Sequence, residues 1–222
     1  MTQIFKVSNM VLVFDLDDTL YKELDYKISG MTKVCSEIER LYGIPCHAEF
    51  EKIKYSQSSD LLGDLCSRLQ LPLSIKESLL WIYRLHYPEI KLSPDVIRLL
   101  QELKRSCRLV ILTDGRSITQ RLKLSALGLS DIPVYISEEY QSEKPALLRF
   151  DAIMHDIPGS RYIYVGDNIA KDFIAPNSLG WKTIGLRDDG MNTHSQALDE
   201  IPLNYMPDVW VNSLTDIVNH LC

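Results

Sequence analysis

Apolar residues fall along the chain in two rhythms. Five short runs, Val11–Phe14, Leu109–Leu112, Val134–Ile136, Tyr162–Val165 and Thr183–Leu186, are mostly continuous rather than alternating. That is the pattern of strands buried on both faces of a parallel sheet. Helical spacing fills most of the gaps between them. Pro94–Arg105 has its proline suited to a first turn, and Ile118–Leu127 stops at Gly128, a C-cap residue. Pro145–Met154 and Lys171–Leu179 follow, and Asp208–Val211 adds a strand before a last helix at Leu214–Leu221. Alternating strand and helix predicts a doubly wound, Rossmann-like α/β parallel sheet.

One segment breaks the alternation. Between Phe14 and Pro94 the apolar positions repeat only at helical spacing: Leu24, Ile28, Met31, Val34, Ile38 and Leu41, then Leu61, Leu65 and Leu69, then Ile75, Leu79 and Ile82. The pattern divides the chain into an α/β core of residues 1–20 and 90–222 and a helical insertion of residues 21–89. An insertion placed there sits above the carboxyl ends of the strands, where open α/β sheets bind ligands.

Composition narrows the classes. The 222 residues are 45% hydrophobic and 24% charged, ordinary for a soluble domain. A formal net charge of −6 speaks against a nucleic-acid partner, which calls for a basic face. Cys35, Cys46, Cys66, Cys107 and Cys222 include no C-x-x-C pair, so reduced thiols in a cytoplasm are expected rather than a disulfide framework or zinc ribbon. Met1–Met10 lacks the long apolar run of a signal peptide, and no run reaches the ~20 residues of a membrane span. The five histidines show no metal-ligand spacing and read as surface or packing residues.

Four clusters carry chemistry, each at the carboxyl end of an expected strand. Asp15-Leu16-Asp17-Asp18-Thr19 follows the first. In an extended turn Asp15 and Asp17 point the same way, and a divalent cation would offset the cost of burying them; a solvated acidic turn is the plainer alternative. Thr113-Asp114-Gly115 follows the second strand, with a hydroxyl and N–H groups beside a helix start that suit an anion, or simply a βα loop with Ser117 as N-cap. Lys144-Pro145 offers a cation for a phosphate, or a surface lysine before a helical proline. Gly166-Asp167-Asn168-Ile169-Ala170-Lys171-Asp172 offers hard oxygen ligands suited to Mg²⁺, or a capped helix start. In a parallel sheet these four ends share one edge, so together they make the parts of metal-assisted phosphoryl transfer.

The set Asp15-x-Asp17-x-Thr19, Thr113, Lys144 and Gly166-Asp167-x-x-x-x-Asp172 resembles the haloacid dehalogenase superfamily, as does the flanking text Val13–Tyr21 and Gly180–Leu186. Two flanks depart from it, Ala146-Leu147 after the motif lysine and Ile174-Ala175-Pro176-Asn177 after the last aspartate. The resemblance implies Asp15 as nucleophile and Asp17 as general acid/base. It implies Mg²⁺ on the Asp15 carboxylate, the Asp17 carbonyl and the Asp167 carboxylate. Thr113, Asp114, Gly115 and Lys144 would bind the phosphoryl group, Thr19, Asn168 and Asp172 would support the site, and residues 21–89 would be its small helical cap.

The resemblance further implies a Mg²⁺-dependent phosphatase acting on a small phosphorylated metabolite, a sugar phosphate or nucleotide, through an aspartyl phosphate. Asp17 speaks against the metal-free dehalogenase branch. A phosphonate hydrolase using one of Lys22, Lys27, Lys33, Lys52 or Lys54, a phosphomutase, and a non-catalytic phospho-ligand binder stay as alternatives. Turnover of an aryl phosphate with Mg²⁺ separates the last from the rest.

Overall fold

The computed structural model describes residues 9–56, 58, 60–194, 196 and 202–221. Most of Met1–Met10, on which the expectation of no signal peptide rests, and Cys222 lie outside them. Six parallel strands form one sheet: β1 (Met10–Phe14), β2 (Arg108–Thr113), β3 (Val134–Ile136), β4 (Arg161–Gly166), β5 (Lys182–Leu186) and β6 (Val209–Val211). Their order is β3-β2-β1-β4-β5-β6, the doubly wound arrangement, in which the direction of growth reverses at β1 and a crevice opens above it. Phe14 pairs in register with Ile111 of β2 and Val165 of β4. The chain therefore leaves β1, β2 and β4 at nearly the same height.

Side chains of β1 alternate between two cores, as the period of a strand requires. Leu12 and Phe14 join Leu99, Leu103, Ile111 and Val165 on one face. Val11 and Val13 join Phe150, Ile153, Phe173 and Trp181 on the other. Helices α1 (Glu23–Tyr42), α2 (His47–Glu51), α3 (Leu61–Arg68) and α4 (Lys76–Leu85) bury a cluster of their own around Val34, Ile38, Phe50, Leu65 and Leu79. Leu41, at the end of the expected stripe, is exposed in the last turn of α1. Tyr26 of α1 packs with the sheet cluster, edge-on to Tyr83 (5.4 Å between centroids) and 5.1 Å from the buried His86 ring. These rings join the helical segment to the sheet.

The remaining helices are α5 (Pro94–Ser106), α6 (Ser117–Ala126), α7 (Ser137–Tyr140), α8 (Leu148–Asp156) and α9 (Ile174–Ser178). Helix α5 begins at Pro94 as expected, and Ser93 Oγ accepts the Val96 N–H as its cap. Three expectations need correction. The helix expected at Pro145 starts only at Leu148, because the Lys144 backbone and side chain are both tied into the sheet edge (below); the Lys144–Pro145 peptide is cis. The helix expected at Lys171 starts at Ile174, because residues 168–173 turn around the Asp172 carboxylate. Leu214–His220 is a 3-10 helix capped by Ser213. Among the described residues no helix is long and apolar enough to cross a membrane.

Candidate active site

Asp15 is the first residue beyond β1, and its N–H donates to Val165 O at 2.8 Å. That bond continues the ladder by one residue and sets where the carboxylate begins. Asp15 Oδ1 lies 2.6 Å from Lys144 Nζ, which also lies 2.6 Å from Asp172 Oδ1 and 3.2 Å from Tyr164 Oη. The second Asp172 oxygen accepts the N–H groups of Asp167 (3.1 Å) and Asn168 (2.8 Å). A Cβ on Gly166 would come within 2.4 Å of that oxygen, so only glycine lets the turn close on it. Asp167 accepts from Thr19 Oγ1 (3.3 Å) and Asn192 Nδ2 (2.9 Å).

One oxygen each of Asp15, Asp167 and Asp172 lie within 4.8 Å of one another, all buried. With all three ionised, a single ammonium among them would leave two negative charges in a desolvated cluster. Burial, with Asp172 and Asp17 nearby, pushes the Asp15 carboxyl up to about 8 against the pull of Lys144. Burial and the neighbouring Asp172, Asp15 and Asp18 push Asp167 up to about 9. Burial works against the Lys144 charge, but Asp15 and Asp172 outweigh it and hold the ammonium on. Asp172 is committed to Lys144, Tyr164 and two N–H groups. Asp15 and Asp167 are thus the carboxylates available to a divalent cation, whose charge equals the excess. The donor set fits a hard, oxygen-seeking ion such as Mg²⁺.

Asp17 is held differently. Its two oxygens lie 2.7 and 3.0 Å from Lys123 Nζ, and it accepts from Tyr21 Oη (2.5 Å) and Gln120 Nε2 (3.0 Å). Burial disfavours its charge, but the Lys123 ammonium and the hydrogen bonds from Lys123, Tyr21 and Gln120 outweigh burial and hold the carboxyl below the usual carboxylate range. The clamp holds the ionised form. Asp18 turns the chain out of the core in the left-handed region (φ 55°), which aspartate tolerates. Its carboxylate accepts the N–H groups of Glu23 (2.9 Å), at the start of α1, and Thr193 (2.7 Å).

The turn after β2 closes the site. Thr113 is buried, and its Oγ1 lies 3.2 Å from Gln120 Nε2. Gly115 has φ 140°, and a Cβ there would meet the Gln120 amide at 2.7 Å. Its N–H donates to Ser137 Oγ at 2.9 Å, which corrects the expectation that it is free for an anion: β3 leads directly into α7 and delivers Ser137 against the turn. Ser117 is not the N-cap of α6; Arg116 is. Asp15, Asp17, Thr113, Asp114, Lys144 and Asp167 line one cavity of about 130 Å³. A larger cavity of about 1010 Å³ lies between the helical segment and the loop after β5, where Leu24, Lys27 and Tyr83 face Met191, Asn192 and Thr193.

Lys123, Gln120, Tyr21, Asn192, Tyr164 and Arg149 take part in this site and are not among the motif residues. A signal existed for two of them. Gln120 and Lys123 stand three apart on the buried face of α6 beside Leu124, and buried polar residues on a core-facing helix stripe have to be paired with something.

A doubly wound sheet here gathers carboxylates, a lysine and a hydroxyl over its switch point, where open α/β sheets bind ligands. The profile of the haloacid dehalogenase-like hydrolases matches residues 12–186, and the chain belongs to that family. Across 95% of its length it is 25% identical to the pyrimidine 5′-nucleotidase YjjG of Escherichia coli (strain K12), covering 97% of that protein. Among solved structures it resembles magnesium-bound YfnB of Bacillus subtilis, at 18% identity and a TM-score of 0.68, over 96% of this chain and 99% of that one. It also resembles a 2-haloacid dehalogenase of Pseudomonas syringae pv. Tomato, at 15% identity and a TM-score of 0.63, over 96% and 97%. At these identities the structural likeness speaks for the fold alone.

Proposed function

We propose that the chain is a Mg²⁺-dependent phosphatase acting on a small phosphorylated metabolite, with pyrimidine nucleoside 5′-monophosphates the first candidates, through an aspartyl phosphate at Asp15. The carrying observation is the buried cluster of Asp15, Asp167 and Asp172 around the single ammonium of Lys144, which is two negative charges in excess once all three carboxyls are ionised. Asp15 and Asp167, with the Asp17 carbonyl, would hold Mg²⁺, which would supply positive charge against the phosphoryl oxygens. Asp15 attacks phosphorus. Lys144, 2.6 Å away, and the Thr113 hydroxyl hold the phosphoryl oxygens in place. Asp17 in its protonated form gives that proton to the leaving oxygen as the ester P–O bond breaks, and the carboxylate so formed, held by Lys123, takes one back from the water that cleaves the acyl phosphate. Residues 21–89 serve as the cap, and the larger cavity beneath it receives the leaving group. The 25% identity to a pyrimidine nucleotidase along nearly the whole chain supports the nucleotide choice.

The test is release of inorganic phosphate from an aryl phosphate and from a nucleotide panel, with Mg²⁺ and with chelator. Turnover that persists undiminished in chelator overturns the reading.

A further inference from the structure

Arg149 is fully buried, with no exposed side-chain surface, in the first turn of α8. A guanidinium there is costly unless its donors are used. Nη1 donates to Thr113 O at 2.8 Å and to Tyr135 O at 3.3 Å, and Nη2 to Asp114 Oδ1. The same Asp114 oxygen accepts the Lys144 N–H at 3.2 Å. The planar fork thus ties the end of β2, the body of β3 and, through Asp114, the backbone of Lys144. Lysine could not span these acceptors in one plane.

The charge matters as much as the geometry. Asp114 lines the small cavity beside Thr113 and Lys144, and its side chain is 16% exposed. A carboxylate there faces the place an incoming phosphoryl dianion must occupy. Arg149 lies behind it, away from the cavity; Lys171 approaches the other oxygen only to 3.6 Å.

We propose that Arg149 is a positioning residue of the phosphoryl cradle: it fixes the Thr113–Asp114 turn through the Thr113 carbonyl and cancels the Asp114 charge that would otherwise repel the phosphoryl group. The proposal rests on the reading that this turn binds phosphate. It assigns to Asp114 the work of carrying Lys144, at the cost of a charge that Arg149 removes.

The test compares wild type, R149M and D114N/R149M by calorimetric binding of inorganic phosphate with Mg²⁺ present, by KM and kcat for an aryl phosphate, and by thermal unfolding. R149M should bind phosphate at least about ten-fold more weakly, since a like charge at close range costs that much even at high effective dielectric and Lys171, 3.6 Å from the other oxygen, offsets it only in part. KM should rise more than kcat falls. D114N/R149M, in which no charge is left to cancel, should recover most of the lost affinity. A folded R149M that binds phosphate as wild type does overturns the proposal, as does a double variant no better than R149M. If R149M does not fold, a double variant that folds and binds phosphate within about three-fold of wild type supports the proposal. If both unfold, Arg149 serves the fold alone and the proposal fails. A wild type that binds no phosphate at all defeats instead the reading of the turn as a cradle.

Discussion

Lys123 Nζ stands 2.7 and 3.0 Å from the two carboxylate oxygens of Asp17, across 106 residues of sequence. The ammonium also sits over the Tyr26 ring, 4.3 Å from its centroid. Helix α6, the first motif and the helical segment meet at this one buried cation. Asp17 is consequently held ionised and aimed by a residue outside all four motifs.

Lys123→Met should therefore weaken both fold and function. Removing one partner of a buried pair costs about 3 kcal/mol, roughly 6–12 °C of melting temperature at this length. Without the ammonium Asp17 keeps its proton to higher pH, so the alkaline limb of the kcat/KM profile, set by the acid that protonates the leaving oxygen, should move up. With the carboxyl no longer aimed by Lys123, proton transfer is impaired, and kcat/KM at neutral pH should fall by roughly 10²-fold. An unshifted limb in a folded variant would show that Lys123 does not set the state of Asp17.

Asp15→Asn should abolish turnover, since an amide is a poor nucleophile, while making the metal-free protein more stable at high pH. The sign follows from the raised carboxyl. A group held at about 8 in the folded protein contributes stability below its ordinary range, and that stability is lost as pH rises through about 8. The amide has no charge to acquire. Thermal melts in chelator at pH 9 check this, and a variant less stable there than wild type would contradict the charge-excess account. Activity above a few per cent would falsify the covalent mechanism.

Stabilisation by Mg²⁺ should grow with pH. Asp15 and Asp167, held at about 8 and about 9, are largely protonated in the metal-free protein at pH 6. The ion then has to displace protons. At pH 9 the carboxylates are closer to fully charged, and the metal-free fold is at its weakest. The melting-temperature difference between Mg²⁺ and chelator should be larger at pH 9 than at pH 6. A difference that is flat or falls with pH would exclude these two groups as the ligands.

Leu24→Trp narrows the larger cavity from the α1 side without touching Asp15, Lys144 or Asp167. It should lower kcat/KM for nucleoside monophosphates by about ten-fold or more, the loss expected when a pocket no longer admits a group. Acetyl phosphate, with its small leaving group, should be affected less than three-fold or so. Equal losses on both substrates would place the leaving group elsewhere.

The sequence alone determined the sheet and the positions of the carboxylates. Continuous apolar runs mark strands buried on both faces, and a residue just past a parallel strand must emerge at the shared edge, so Asp15, Thr113 and Asp167 were placed by local pattern. Local chemistry also placed Pro94 at the start of α5. Only the tertiary structure decided what those carboxylates touch. Lys123 on Asp17, Arg149 behind Asp114 and Asn192 on Asp167 are contacts between segments far apart in the chain, made by packing angles that no spacing encodes. The same limit misplaced the helix after Lys144. Pro145 is a good first-turn residue by propensity, but the Lys144 N–H is held by Asp114 and its ammonium by Asp15 and Asp172. Those long-range bonds delay the helix to Leu148, because hydrogen bonds to buried charges outweigh the few tenths of a kcal/mol that separate ordinary residues in helix propensity.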